Sequence, residues 1–114
     1  MVIEKFEDII AWKKAEILTI EIYSFLKNNR DYSFKDQIQR ASVSIMNNIA
    51  EGFERRSNKE FKQFLFIAKG SAGETRSMLH LAKQLGYINE VEYIKFCSLT
   101  TEISKLLSGF IKTL

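Results

Sequence analysis

The chain has 114 residues and a net charge of +3; 46% of its residues are apolar and 27% charged, a balance typical of a globular protein rather than a disordered one. It contains no proline, which permits long helices, and one cysteine, which excludes an intrachain disulfide and a thiolate metal cage. No apolar run approaches the roughly 20 residues that cross a bilayer, and the start, MVIEKFEDII, does not resemble a secretory signal, so we expect a cytoplasmic protein with no membrane partner.

Apolar residues spaced alternately by four and three predict a first helix over residues 7–27. The segment NNRDYS ends it. Ser33, with Asp36 three positions on, has the form of a helix start and predicts a second helix over residues 34–55. The first helix's predicted core stripe is Ala11, Ala15, Leu18, Ile22 and Phe25.

The third and fourth helices have clearer start and stop signals. SNKE from Ser57 is a capping box that opens a helix over residues 58–85, and Gly86 is a natural C-terminal cap. NEVE from Asn89 opens the last helix, over residues 90–112. Short connections favour antiparallel neighbours, so the sequence predicts one all-α domain over residues 1–114, an up-down-up-down four-helix bundle. The fourth helix's predicted stripe is Phe96, Leu99, Ile103, Leu106 and Phe110.

The third helix is more apolar than one bundle core requires. Ile67 and Leu81 lie beside its main stripe, and Ile10 and Ile17 widen the stripe of the first helix in the same way. A helix that is apolar over most of its circumference is buried on more than one side. We therefore expect a homo-oligomer, and the alternative is a monomer with a wide core.

Polar residues accompany the core stripe of the second helix. Asn48 lies in the core row, and Glu74 on the third helix stands in an otherwise apolar row. Such residues can form a catalytic pocket or an internal polar network that fixes helix register. No nucleophile is paired with a base, so we favour the network over an enzyme that uses Glu51, Glu74 and Arg40. The residues assigned to it from their rows are Gln37, Arg40, Ser44, Asn48, Glu51 and Glu74.

No cofactor or metal site is predicted. His80 is the only histidine and lacks a second histidine or cysteine at ligand spacing. Cys97 is typical of a small packed apolar residue. The segment GSAGE lacks both the preceding strand and the Lys-Ser/Thr ending of a phosphate-binding loop.

A basic row on the third helix is the strongest functional signal. Residues 58–86 carry five basic side chains against two acidic ones, so the positive excess of the chain lies there. Members of the row repeat every seven residues, about 10 Å apart at 1.5 Å rise per residue, and could follow a phosphate backbone. The alternative is an ordinary solvated helix face. The candidate nucleic-acid-binding residues are Lys62, Lys69, Arg76 and Lys83, extended by Arg55, Arg56 and Lys59.

The segments FEDIIAWKKA, DQIQRASVSIMNNIAEGFERRSNKEFKQFLFIAKGSAGET and LGYI resemble, in order and spacing, the bacterial four-helix bundle proteins called 23S rRNA intervening-sequence proteins. An acidic-proline turn that many members have before the second helix is replaced here by NNRDYS. The family pattern adds Ser71 to the predicted polar network. It falls on Gln37, Arg40, Ser44, Asn48, Glu51, Gly52, Ser71 and Glu74.

This resemblance implies a small antiparallel bundle, commonly a ring-like homopentamer, with no known enzymatic activity. Some members are encoded inside intervening sequences of ribosomal RNA genes. The family is also similar to accessory proteins of diversity-generating retroelements, basic pentameric barrels that engage nucleic acid and a reverse transcriptase. We therefore expect a non-enzymatic, homo-oligomeric bundle that binds RNA or DNA electrostatically. The alternative is a scaffold whose oligomer presents helix faces to a protein partner, such as a reverse transcriptase.

Overall fold

In a computed structural model that describes residues 2–114, four antiparallel helices form the fold, which confirms the predicted all-α bundle. A 3-10 turn precedes them, and no strand occurs among the described residues. Each helix packs against two neighbours, in the cyclic order of the chain, so that the first helix is diagonal to the third. The elements are the turn Phe6–Asp8 and the helices α1 (Ile10–Phe25), α2 (Tyr32–Phe53), α3 (Asn58–Gln84) and α4 (Glu90–Thr113).

The start of α2 differs from the prediction. Its N-cap is Asp31 rather than Ser33, because the Asp31 carboxylate accepts the backbone N–H of Phe34 at 3.2 Å. The Tyr87 hydroxyl, from the turn between α3 and α4, donates to the same carboxylate at 2.6 Å. This long-range contact holds Asp31 at the helix end, and α2 accordingly begins two residues before the predicted position.

The start of α1 also differs from the prediction. Residues 7 and 8 belong to the 3-10 turn, and Ile9 is extended (φ −73°, ψ 121°), which separates the turn from the helix. The side chain of Ile9 is buried in the core, 2% exposed. The N-terminal segment is thus anchored to the bundle by Ile9 without continuing α1.

The ends of α3 and α4 follow the predicted signals. Ser57 accepts the backbone N–H of Glu60 at 3.2 Å, and Asn89 forms a reciprocal capping box with Glu92. Gly86 adopts φ 77°, and the following N–H donates to the carbonyl oxygen of Ala82 at 2.8 Å. A positive φ is adopted without strain by glycine, which explains the sharp stop of α3.

The core stripe of α4 is displaced from the predicted one. Leu99, Leu106 and Phe110 are half-buried rather than central. Thr100 can occupy the core because its hydroxyl donates to the Phe96 carbonyl oxygen at 2.7 Å, which satisfies the buried polar group. The residues of α4 that are fully covered are Phe96, Thr100, Ile103, Leu107 and Ile111. The stripe predicted for α1 is confirmed as core, with only Phe25 half-buried.

Gly52 sets the approach of α2 to α3. It is buried, and a Cβ added there would lie 2.6 Å from Phe64 Cβ and 2.9 Å from Phe61 Cδ1. Any larger residue would therefore push the helices apart. No helix within residues 2–114 combines the length and the apolarity needed to span a membrane.

Candidate nucleic-acid interface

The basic row follows one side of α3, toward α4. Lys69 and Arg76, in the middle of the row, are exposed, whereas Lys62 and Lys83 near its ends are half-buried. The core stripe of α3, from Phe61 to Ala82, lies next to the row around the helix and fixes its rotation, which is why Lys62 and Lys83 are half-buried. The heptad spacing of the row therefore translates into cations on one exposed side of a single rigid element.

Lys83 is neutralised within the chain. Its ammonium lies 2.7 Å from a carboxylate oxygen of Glu90 and 4.6 Å from the ring centroid of Tyr93. The hydrogen bond to Glu90 raises the pKa of Lys83 above its ordinary value. Lys83 thus stays charged but has its own counterion, so it contributes little to the field felt by an external anion.

Arg55 is engaged in the same way at the other end of the row. Its guanidinium pairs with Glu51 at 3.0 Å and lies 4.7 Å from the ring centroid of Phe64. The pair is exposed and spaced i, i+4, so it is worth a few tenths of a kcal/mol at most. Its effect on the interface is local cancellation of one positive charge.

The other five candidate cations have no such partner. Within residues 2–114, their nitrogen atoms all lie more than 4.0 Å from any carboxylate oxygen. This group, which we call the unpaired cations, consists of Arg56, Lys59, Lys62, Lys69 and Arg76. The uncompensated charge thus begins in the turn before α3 and continues to the middle of that helix.

The neighbouring helix keeps this charge uncompensated. Lys83 pairs with Glu90 at one end of the α3–α4 contact, and Phe61 packs on Phe110 at the other, with ring centroids 5.3 Å apart. This antiparallel register places Arg76 beside the turn of Cys97, and Lys69 beside the turn of Ser104. Neither turn offers a carboxylate toward α3, and Glu102, between them, pairs with Lys14 of α1 at 3.1 Å.

An open groove of about 720 Å³ runs along the outer face of α4. Tyr93, Cys97, Thr101 and Lys105 are among its lining residues. The pKa of the Tyr93 hydroxyl is raised, first of all by its hydrogen bond with Cys97. The sequence analysis did not identify this groove. The heptad spacing of Glu90, Cys97 and Ser104 is the signal that could have shown which side of α4 lies next to the basic row.

The predicted polar network is reduced to three residues within the chain. The hydroxyls of Ser44 and Ser71 are 2.9 Å apart across the α2–α3 contact. The amide of Asn48 donates to both the carbonyl oxygen and the hydroxyl of Ser44, at 2.8 and 2.9 Å. These bonds join the two helices at one level and satisfy the polar groups that lie nearest the core.

The other four predicted network residues lie at the surface, which corrects the prediction. Gln37 and Glu74 are exposed, and Arg40 and Glu51 pair along their own helix with Asp36 at 2.8 Å and with Arg55 at 3.0 Å. Of the row of α2 formed by Gln37, Ser44 and Glu51, only Ser44 hydrogen-bonds to α3. Periodicity assigned Gln37, Arg40 and Glu51 to rows of α2 and Glu74 to a row of α3, but it did not give the depth of these rows.

His80 is exposed on α3, and its Nδ1 lies 3.4 Å from the Tyr93 hydroxyl. No group of three potential metal-ligating side chains occurs among the described residues. Cys97 is a free, half-buried thiol.

The comparisons with known proteins agree with this architecture. The sequence model of the family described as "23S rRNA-intervening sequence protein" matches residues 7–109. The chain belongs to this family. A crystal structure of a protein of unknown function from the S23 ribosomal protein family of Bacteroides thetaiotaomicron VPI-5482 is similar, with TM-score 0.84 and 32% identity. The similarity covers 90% of this chain and 99% of that one. No curated protein matches the chain.

Membership of the 23S rRNA-intervening sequence family accounts for the fold, and neither description names a reaction. The family match runs from the 3-10 turn into the last turns of α4 and so includes the whole basic row. The unpaired cations lie beside a side of α4 that offers them no carboxylate within 4.0 Å.

Proposed function

We propose that this 23S rRNA-intervening sequence family member is a non-enzymatic, homo-oligomeric bundle that binds RNA or DNA through the unpaired cations. One observation carries the proposal: Lys62, Lys69 and Arg76 follow one side of α3 with no carboxylate within 4.0 Å. A chain with as many as 14 acidic residues would ordinarily place some of them against such a row.

The physics of the row fits a nucleic-acid backbone. Its members are about 10 Å apart along a rigid helix, so each cation can contact a different phosphate of an extended strand. Backbone contacts of this kind position a nucleic acid without discriminating its sequence. Phe66 is 54% exposed on α3 and lies one helical turn from both Lys62 and Lys69, so stacking of a base on this one ring adds to a mainly electrostatic contact.

A non-enzymatic role is supported by how the acid and base candidates are distributed. Arg40 forms an ion pair with Asp36, and Glu51 forms one with Arg55. Glu74 forms no ion pair with either Arg40 or Arg55. General acid–base chemistry requires such groups to converge within hydrogen-bonding reach of one substrate position.

A protein-scaffold role is the second candidate. Val91 and Ile94, at the start of α4, are 76% and 54% exposed, which favours contact with an apolar surface of a partner. A partner protein bound there would leave the basic row free. The two functions are therefore distinguished by variants of the row itself.

The test measures the affinity of a fluorescently labelled 20-nucleotide single-stranded RNA by anisotropy, over a series of salt concentrations. The triple variant Lys62→Glu/Lys69→Glu/Arg76→Glu is compared with the wild type. We expect binding at low salt that weakens steeply as salt rises, and loss of binding in the variant. Each phosphate contact contributes about 0.7 to the slope of log affinity against log salt for a single strand.

The matched control is Lys5→Glu/Lys27→Glu/Lys112→Glu, which reverses three exposed lysines outside α3 and changes the net charge equally. It should retain most of the affinity. If both triple variants lose binding to the same extent, the row has no special role. Absence of binding at low salt, or binding insensitive to salt, contradicts the proposal.

A further inference from the structure

Two apolar stripes remain exposed on the bundle, one on α1 and one on α3. On α1, Ile10, Ile17 and Ile20 are 58%, 51% and 61% exposed. On α3, Ile67, Leu81 and Leu85 are 52%, 43% and 48% exposed. Each stripe follows helical spacing, so each presents a continuous apolar surface rather than scattered single residues.

Each stripe contains one charged residue of opposite sign. Lys13 lies among the isoleucines of α1, and Glu74 lies midway between Ile67 and Leu81 on α3. Both are exposed, and neither belongs to an ion pair among residues 2–114. The cation of α2 nearest in register to Glu74 is Arg40, which is taken by Asp36 at 2.8 Å.

The two stripes cannot cover each other within one chain. The bundle order places α1 and α3 at diagonal corners, and the two helices have no contact. A symmetric pairing of two α3 stripes about the midpoint between Ile67 and Leu81 would bring Glu74 against Glu74. Like charges in a partly desolvated contact repel, whereas unlike stripes bring the opposite charges together.

We infer that the α1 stripe of one copy packs on the α3 stripe of the next copy, with Lys13 paired to Glu74 across the contact. The inference rests on the homo-oligomer of the proposed function and specifies its interface. A contact between two different faces is heterologous, so it closes into a ring or continues as a filament. In either assembly every copy contributes its own basic row.

The α3 stripe is also shaped for close approach. A Cβ built at Gly70 meets no atom within 4 Å, and Gly70 lies three residues after Ile67 and four before Glu74, so it leaves open space within the stripe. A helix can therefore come nearer to α3 here than at positions with side chains. Within the chain, Gly70 has no packing partner that explains its small size.

The first test is a charge exchange, read by sedimentation velocity at one protein concentration. The wild type should sediment as a multiple of the 13.3 kDa chain. Lys13→Glu and Glu74→Lys should each shift the distribution toward the single chain, and the double exchange should restore the assembly. Glu54→Lys, which reverses an exposed residue without an ion pair outside both stripes, is the control and should leave it unchanged.

The second test separates unlike from like pairing. Ile17→Asp blocks the α1 stripe, and Ile67→Asp blocks the α3 stripe. A heterologous contact predicts that each variant alone is monomeric at high concentration and that their mixture forms a one-to-one dimer of twice 13.3 kDa. Like pairing predicts instead that Ile17→Asp still dimerises through α3, and that result would overturn the inference.

The outcomes also separate this inference from the proposed function. If the wild type assembles and none of the stripe variants changes its mass, the α1–α3 contact is overturned, whereas the homo-oligomer of the proposed function stands. A monomeric wild type overturns both the contact and the oligomeric part of the proposal. RNA binding is measured independently by anisotropy, so loss of assembly with retained affinity leaves the basic row as the binding element.

Discussion

Substitution of Gly52 tests the packing that holds α2 against α3. In Gly52→Ala the new Cβ would lie 2.6 Å from Phe64 Cβ and 2.9 Å from Phe61 Cδ1. Carbon atoms pack at about 3.5–4.0 Å, so a shift of roughly 1 Å is needed. Phe64 Cβ is attached directly to the backbone of α3, so rotation of a flexible side chain cannot supply that shift.

The magnitude follows from two opposing contributions. Overpacking of this kind costs about 1–3 kcal/mol. Alanine in a helix interior gains up to about 1 kcal/mol over glycine. Because the clash involves a backbone-anchored atom, we expect the upper part of the first range and a net loss of about 1–2 kcal/mol in the free energy of unfolding.

The assay is urea denaturation followed by circular dichroism at one fixed protein concentration. Gly109→Ala is the matched control, since a Cβ at Gly109 in α4 meets no atom within 4 Å. The control should be as stable as the wild type or more stable, by up to about 1 kcal/mol. A Gly52→Ala protein at least as stable as the wild type would refute the argument that Gly52 sets the distance between α2 and α3.

Three further predictions concern single side chains. Ser71→Ala removes the hydroxyl bond between α2 and α3 and should lower the free energy of unfolding by about 1 kcal/mol in urea titrations; an unchanged midpoint would contradict this. The hydrogen bond from the Tyr87 hydroxyl holds the pKa of Asp31 below its ordinary value, so its stabilisation is present above about pH 4 and is lost as the pH falls through the folded pKa. Tyr87→Phe should therefore be less stable than the wild type at pH 7, with a difference that shrinks in acid; a difference independent of pH down to acid unfolding would contradict it. Lys83→Gln should weaken RNA affinity less than Lys69→Gln, because a carboxylate of α4 already neutralises Lys83, and equal losses would contradict that assignment.

Signals that act within a few residues were sufficient to predict where α3 and α4 begin. Ser57 and Asn89 cap the helices that they begin because each accepts an N–H only three residues away. The choice of Asp31 over Ser33 depends on Tyr87, which lies 56 residues along the chain. Local patterns contain no information about such a contact.

The α4 stripe shows the same limit for the core. The predicted stripe included Leu99 and left out Thr100, because a threonine side chain is polar. In the fold the Thr100 hydroxyl is satisfied by the Phe96 carbonyl, and the residue behaves as a small apolar side chain. The resulting rotation of α4 turns Cys97 toward the side of the basic row.

For the candidate site, heptad spacing located the cations but not their counterions. The row on α3 is visible in the sequence, whereas the pairing of Lys83 depends on how Glu90 is placed by the turn between α3 and α4. The network prediction failed for Arg40 and Glu74 for a related reason. The period of a helix assigns residues to rows, but the depth of a row depends on the rotation of the neighbouring helix.

The most direct test of the account is the mass of the protein in solution, measured by light scattering at low salt with and without a 20-nucleotide single-stranded RNA. The account predicts a multiple of 13.3 kDa for the protein alone. It also predicts a heavier complex with RNA that dissociates when salt is raised. A single-chain mass that RNA does not change at low salt would contradict both the assembly and the nucleic-acid interface.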